Sequence, residues 1–286
     1  MKILLTGATG FIGSYIADEL FLKGYELMLT KRSSSNLKNC ELFKDKVKWV
    51  DTDCGDWILK TVEFMPDIII HSAWIGVEAK DRDDYEMQRK NIDFVDKLIS
   101  IAEKTKPIKF IGFGSQAEYG YLDSVVSEEK ECKPDFAYGK VKLEVLDKIK
   151  SFCEGKGISW YWLRVFAVRG EREGQNWLLP SFERKMKDMN ETSMDFTLGE
   201  QKYAYLDVKV AASYVGKIVE KENGKNGIYN ISAEGANSIR DILTDIRDRL
   251  RPDFVLNFGA LPTRPNQSSI IEGKMDKFFK EFGRSN

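Results

Sequence analysis

The sequence predicts an α/β fold, a doubly wound parallel sheet carrying a smaller C-terminal α+β lobe. Three observations predict it. Short apolar runs alternate with amphipathic segments through the first half, glycines three apart follow the first run, and the pattern loosens after residue 170. The runs are Lys2–Leu5, Glu26–Thr30, Val47–Val50, Asp67–His71 and Lys109–Phe113. Each is mostly apolar or β-branched and is bounded by Gly, Pro or charge, as strands buried on both faces are. Between them, Phe11–Lys23 places Ile12, Ile16 and Leu20 four apart. Asp84–Lys104 carries Ile92, Val95, Leu98, Ile99 and Ala102, and Tyr138–Glu154 carries Val141, Val145 and Ile149. These spacings give each helix one apolar face, and the alternation implies right-handed crossovers.

A sixth strand is expected over Ile158–Val168, after Gly155 and Gly157. Beyond it, Asn176–Met189 reads as a helix, Asp195–Leu198 as a short strand and Val208–Glu220 as a helix. The turn signals Asn223-Gly224 and Asn226-Gly227 lead into a strand at Ile228–Ser232, a helix at Ile239–Leu250 and a strand at Phe254–Phe258. The expected division is 1–170 and 171–286, with a soft boundary, because the later elements interleave with the sheet.

Composition narrows the function. The 286 residues suffice for about two units, and 42% hydrophobic with 31% charged residues is ordinary for a soluble globular protein. Forty-four basic against 45 acidic residues leave a net charge of −1, so nothing global asks for nucleic acid. No apolar run approaches the ~20 residues that span a bilayer, and the start turns glycine-rich too soon for a secretory signal. Cys40, Cys54, Cys132 and Cys153 are widely spaced and form no CxxC. A disulfide framework or thiolate zinc site is therefore not expected, and a reducing cytoplasm is the default. His71 is the single histidine, so a multi-histidine metal site cannot be built and no metal is expected. Chemistry falls to Tyr, Lys, Ser or carboxylates.

Lys2–Gly13 reads KILLTGATGFIG. A strand runs into Gly7, Gly10 and Gly13, then a helix begins. Glycines so placed permit φ > 0, admit a pyrophosphate to the backbone and let the helix pack on the strand. The diphosphate then lies at the positive end of the helix. A merely glycine-rich tight turn is the alternative, but strand, glycines and helix agree on a dinucleotide-binding (Rossmann) turn. The second strand should end at the group that reads the adenosine ribose. It ends Leu29-Thr30-Lys31-Arg32-Ser33-Ser34, with no carboxylate for a free 2′-hydroxyl. Lys31 and Arg32 suit a 2′-phosphate, so NADP(H) is expected over NAD(H). A solvated loop is the plainer alternative.

Tyr138 and Lys142 lie four apart at a helix start, on one face. A free tyrosine titrates near pH 10; a nearby ammonium and a helix N-terminus favour its phenolate. The pair suits interconversion of a carbinol and a ketone. Ser115, in FIGFGSQAEYG, follows the fifth strand at the edge where parallel sheets bind ligands.

Together these segments resemble the extended short-chain dehydrogenase/reductases that process nucleotide sugars. TGATGFIG at 6–13, Asp51-Thr52-Asp53, HSA at 71–73, Asn91, GSQAEYG at 114–120, YGKVK at 138–142 and LRVFAVRG at 163–170 carry the likeness, with YNIS and NFGALPTRPNQ near the end. The resemblance implies that Gly7, Gly10, Phe11, Ile12 and Gly13 hold the cofactor, that Asp53 bonds the adenine, and that Ala73 and Asn91 line the groove. It implies that Ser115, Tyr138 and Lys142 are catalytic, with Lys142 also gripping the nicotinamide ribose. His71 would back the cofactor structurally. The later lobe would bind the nucleotide sugar through Asn176 and Arg264, with Trp177, Lys202 and Tyr203 as weaker candidates. A cytoplasmic homodimer, paired through the helices at 84–104 and at Tyr138, and a role in surface-polysaccharide synthesis are further implications.

Gln116 and Ala117 stand where related 4,6-dehydratases carry Asp-Glu, and neither exchanges protons. Dehydration is therefore excluded. Val168-Arg169-Gly170-Glu171 replaces the usual VYGP. Two enzyme readings remain. One is an NADPH-dependent reductase of a nucleoside-diphosphate 4-keto-6-deoxy sugar, like enzymes of the CDP-abequose synthase kind. The other is a 4-epimerase with tightly held NAD. The basic end of the second strand favours the reductase. A catalytically silent NADP sensor would be expected to lack the Tyr or the Lys, and both are present.

Overall fold

The computed structural model describes residues 1–263 and 266–284. Six strands come first: β1 (Lys2–Thr6), β2 (Glu26–Lys31), β3 (Lys48–Asp51), β4 (Ile68–His71), β5 (Lys109–Ser115) and β6 (Ser159–Val165). The helices among them are α1 (Phe11–Leu22), α2 (Trp57–Phe64), α3 (Tyr85–Thr105) and α4 (Ala137–Lys156). The chain then builds β7 (Val168–Arg169), α5 (Leu178–Lys187), β8 (Ser193–Phe196), β9 (Lys202–Tyr203), β10 (Leu206–Asp207) and α6 (Val208–Glu220). It returns as β11 (Gly227–Ile231) and finishes with β12 (Asn237–Ser238), α7 (Ile239–Leu250), β13 (Val255–Phe258), β14 (Ile270–Ile271) and α8 (Asp276–Phe282).

Seven strands form one parallel sheet in the order β11-β6-β5-β4-β1-β2-β3. The direction of strand addition reverses between β1 and β4, where such sheets bind ligands. Alternation along each strand feeds two cores. Ile3 and Leu5 of β1 join Ile16 and Leu20 of α1, Val215 and Ile218 of α6 and Phe278 of α8. Leu4, between them, faces Val95 and Leu98 of α3 and Val145 and Ile149 of α4. A separate cluster of Leu179, Phe182, Phe196, Leu243 and Phe254 holds the smaller lobe.

Several elements differ from expectation. The strand expected over 158–168 is broken: β6 stops at Val165, and Phe166 turns into a cluster with Tyr119, Leu122 and Ile271. β7 then pairs with β10 instead. Helix α5 starts at Leu178, because Trp177 is extended (φ −76°, ψ 159°) and caps it. β8 lies two residues early, set by its register with β13, Ser193 to Val255 through Phe196 to Phe258. Helices α2 and α8 are additions, only eight and seven residues long. Among the described residues no helix is long and apolar enough to cross a membrane.

Candidate active site

At the end of β1 the chain turns through Gly7 at φ +80°. A Cβ there would come within 2.7 Å of the Ala73 nitrogen, just beyond β4. A Cβ on Gly13 would strike the Gly7 carbonyl. The Gly10 N–H donates to that carbonyl at 3.0 Å, and Gly10 caps α1 without any side-chain hydrogen bond. The N-terminus of a 12-residue helix, free of any side-chain cap, thus meets a turn whose two ends are glycines. That is the shape a dinucleotide diphosphate requires, so these residues fit the cofactor that the sequence implies. Phe11 and Ile12 open α1 beside them.

Strand β2 ends with Lys31 in register with Asp51. The sequence reading found no carboxylate at the end of β2; pairing with β3 brings two. Asp51 Oδ2 accepts from Ser33 Oγ at 2.7 Å, and Asp53 Oδ2 accepts from the Ser33 N–H at 2.9 Å. The Ser33 hydroxyl, first among several donors, holds the Asp51 carboxyl below the usual range. Arg32 is exposed, and its N–H donates to Ser35 Oγ at 2.9 Å.

Ser115 closes β5 and opens a short 3-10 turn. Its Oγ accepts from the Ala117 N–H at 3.2 Å, and its own N–H donates to Glu118 Oε1 at 2.8 Å. Tyr138 and Lys142 project from the first turns of α4. The Ser115 hydroxyl favours ionisation of the Tyr138 phenol. Burial nevertheless pushes that phenol above its ordinary value, against the pull of Arg82 and Ser115. The sequence had pointed toward a favoured phenolate, whereas desolvation prevails and the phenol stays protonated. Lys142 is buried, donates from Nζ to the Phe113 carbonyl at 2.6 Å, and is pulled down to about 7 by burial, with Glu118 opposing.

His71 ends β4 and pairs with Thr6 of β1 and Gly112 of β5. Its Nδ1 lies 2.9 Å from Thr6 Oγ1, which also accepts from the Ala73 N–H at 3.2 Å. His71 Nε2 is buried without a hydrogen-bond partner among the described residues. Burial, with the Lys142 ammonium second, lowers His71 to about 3, so the ring is neutral. Asn91 is buried and clamps the loop after β4. Its Oδ1 accepts from the Ile75 N–H at 2.8 Å, and its Nδ2 donates to the Ile75 carbonyl at 3.1 Å.

The remaining expected residues lie farther out. Asn176 and Trp177 are exposed ahead of α5, and the Trp177 ring meets Phe11 edge-on at 5.9 Å. This places Trp177 beside the glycine turn. Lys202 is exposed on β9, and Tyr203 stacks on Tyr205 at 5.5 Å. Arg264 lies outside the described residues.

Sequence reasoning missed a buried network behind Ser115. Arg164 Nε on β6 meets Glu118 Oε2 at 2.6 Å, and Trp162 Nε1 donates to Glu118 Oε1 at 3.0 Å. A signal existed: Ser115 and Glu118 have the S-x-x-E spacing of a capping box, and the structure forms one. Also missed were Asp83, whose carboxylate accepts from the Ala137 N–H at the start of α4 at 3.2 Å, and Trp74, which lies over Lys142.

A parallel sheet with a glycine turn at its point of reversal defines a dinucleotide-binding α/β protein, and its sequence places it more narrowly. Residues 3–232 match the NAD dependent epimerase/dehydratase family, and the chain belongs to that family. Among curated relatives, dTDP-6-deoxy-L-talose 4-dehydrogenase (NAD(+)) of Aggregatibacter actinomycetemcomitans is 23% identical over 282 residues, covering 96% of this chain and 99% of the relative. CDP-abequose synthase of Salmonella muenchen is also 23% identical, over 286 residues, covering 97% and 90%. The fold is shared with the UDP-N-acetylglucosamine 4-epimerase of Methanobrevibacter ruminantium M1, solved with UDP-N-acetylmuramic acid. That likeness has a TM-score of 0.87 at 22% identity, covering 99% of this chain and 92% of that one.

Proposed function

We propose that this protein reduces the C4 keto group of a nucleoside-diphosphate 4-keto-6-deoxy sugar, using NADPH in preference to NADH. The observation that carries the reading is the placement of Ser115 at the end of β5 with Tyr138 and Lys142 in the first turns of α4, the Tyr138 phenol being kept protonated by burial. Such a set donates a proton to a developing alkoxide and steadies it. The bound cofactor supplies the hydride. Lys142, a turn along α4 from Tyr138, holds the nicotinamide ribose and offsets negative charge on the phenolate left after transfer. Gly7, Gly10 and Gly13 seat the diphosphate, with Phe11, Ile12, Ala73 and Asp53 along the groove and Asn91 fixing the loop beside it. Asn176, Trp177 and Arg264 engage the nucleotide sugar.

Two curated relatives support chemistry on a sugar nucleotide: one is named as an NAD(+) 4-dehydrogenase of dTDP-6-deoxy-L-talose, an oxidation at the carbon that the proposed reaction reduces, and the other as CDP-abequose synthase. Lys31 and Arg32 support NADPH. The second reading is a 4-epimerase retaining NAD. Asp51 and Asp53 favour it, since carboxylates beside the ribose suit a free 2′-hydroxyl.

The test incubates the purified protein with NADPH or NADH and a panel of nucleoside-diphosphate 4-keto-6-deoxy sugars, following nicotinamide absorbance. Stoichiometric oxidation, lost by about 10²–10⁴-fold in Tyr138→Phe while NADPH still binds, is the expected result. No net oxidation, with NAD released on denaturation, selects the epimerase. Turnover that survives Tyr138→Phe removes the phenol from the reaction.

A further inference from the structure

The geometry points to Trp74 as a positioning residue, whose indole face holds the Lys142 ammonium charged and in place behind Tyr138. This rests on the reading that Tyr138 and Lys142 serve the reaction. Lys142 Nζ lies 3.4 Å from the Trp74 ring centroid. The same indole meets the Tyr138 ring edge-on at 5.9 Å, so one aromatic plane touches both members of the pair. The indole is partly buried and packs on the apolar cluster that α3 and α4 share.

The indole is fixed at its polar edge. Trp74 Nε1 donates to Gln88 Oε1 at 2.8 Å. Gln88 is fully buried on α3 and donates from Nε2 to the carbonyls of Gly76 at 2.7 Å and Asp81 at 3.1 Å. Gln88 therefore ties the indole to the loop after β4. That loop also braces Tyr138, whose N–H donates to the Arg82 carbonyl at 2.8 Å.

The charges around Lys142 show why such a face is needed. Glu118, from the turn after β5, favours the ammonium but is shared with Arg164. His71, from the end of β4, is neutral and gives no counter-charge. Tyr138, one turn back on α4, is a neutral phenol, and Arg82 stands over its ring at 5.3 Å. Apart from Glu118, the groups around the lysine are neutral or cationic. Burial drives the amine toward its neutral form. An indole face attracts a desolvated cation more strongly than any other side-chain ring.

The experiment has two readouts. The first is the pH profile of kcat/KM for NADPH oxidation in wild type, Trp74→Phe and Trp74→Leu. Without the π face the lysine loses its proton at lower pH, so the basic limb in Trp74→Leu moves down by about one pH unit. Trp74→Phe moves it less. The second is independent of turnover. The emission due to Trp74, taken as wild type minus Trp74→Phe, is titrated through pH 7 and repeated on a Lys142→Met background. A step near pH 7 that vanishes with Lys142→Met supports the proposal.

A uniform rate loss at every pH with an unmoved limb makes Trp74 packing alone and overturns the proposal. So does an emission step that persists without Lys142. If Trp74→Leu does not fold, the Trp74→Phe profile and the emission titration decide. If the wild type turns over none of the keto sugars yet the emission step follows Lys142, the proposed reaction fails while the positioning of the lysine stands.

Discussion

Between pH 7 and pH 5 acid should weaken this protein chiefly through one side chain. His71 is its only histidine, and inside the fold it resists protonation down to about 3, against 6.5 when free. Between those values the unfolded chain binds a proton that the folded chain refuses. The folded-state value is depressed, so the stability is fully present above 6.5 and is lost as pH falls toward 3. One proton costs about 1.4 kcal/mol per pH unit, or about 2 kcal/mol by pH 5. Lys142 does not blur this window, because its own mismatch runs from about 7 up to 10.5. Burial raises the carboxyls of Asp18 and Glu173, which act with the opposite sign at carboxylate pH, but they are common to wild type and variant. The assay is urea unfolding at pH 7 and pH 5 of wild type and His71→Gln, whose amide can still hydrogen-bond Thr6. The wild type should lose about 2 kcal/mol more than the variant. Equal losses in the two proteins would refute the buried neutral ring.

Three further outcomes follow from the geometry. Gly7→Ala should cost about 1–2 kcal/mol from the left-handed backbone alone. It should also weaken nicotinamide-cofactor binding, because the new methyl meets the Ala73 backbone; urea midpoints and a cofactor titration check both. Arg32→Glu should lower the NADPH-to-NADH preference by at least about tenfold, and an unchanged ratio of kcat/KM values would mean the arginine is a surface charge. Arg164→Met should destabilise the fold by about 3–5 kcal/mol by leaving Glu118 buried without its cation, with part of the loss recovered by adding Glu118→Gln.

The strands and helices around the sheet were legible because each carries an uninterrupted apolar run or face. Helix α2 was not. Its eight residues present only Trp57, Thr61 and Phe64 to the core, too few turns for a periodicity to register. The glycine turn, Ser115 and the Tyr138–Lys142 pair are local patterns and could be read directly. Contacts between distant segments could not. Asp51 and Asp53 meet the end of β2 only through strand pairing, and Trp74 meets Lys142 only because the exit of β4 lies beneath α4. The protonated state of Tyr138 was hidden for the same reason: the sequence displays the lysine but not the degree of burial. Glu118 is an intermediate case, since its spacing from Ser115 was visible and its ion pair with Arg164 was not.

The return of the chain to the sheet as β11 has a consequence for synthesis on the ribosome. Strand β6, with Trp160, Tyr161 and Trp162 buried in it, pairs with β5 on one side and waits for β11 on the other. All of β7 to α6 must emerge before that partner exists. During that interval the nascent chain carries an open, aromatic strand edge, the kind that templates pairing with other chains. A fragment ending near residue 170 would keep that edge permanently, so the protein cannot be shortened to its glycine-turn half without inviting aggregation.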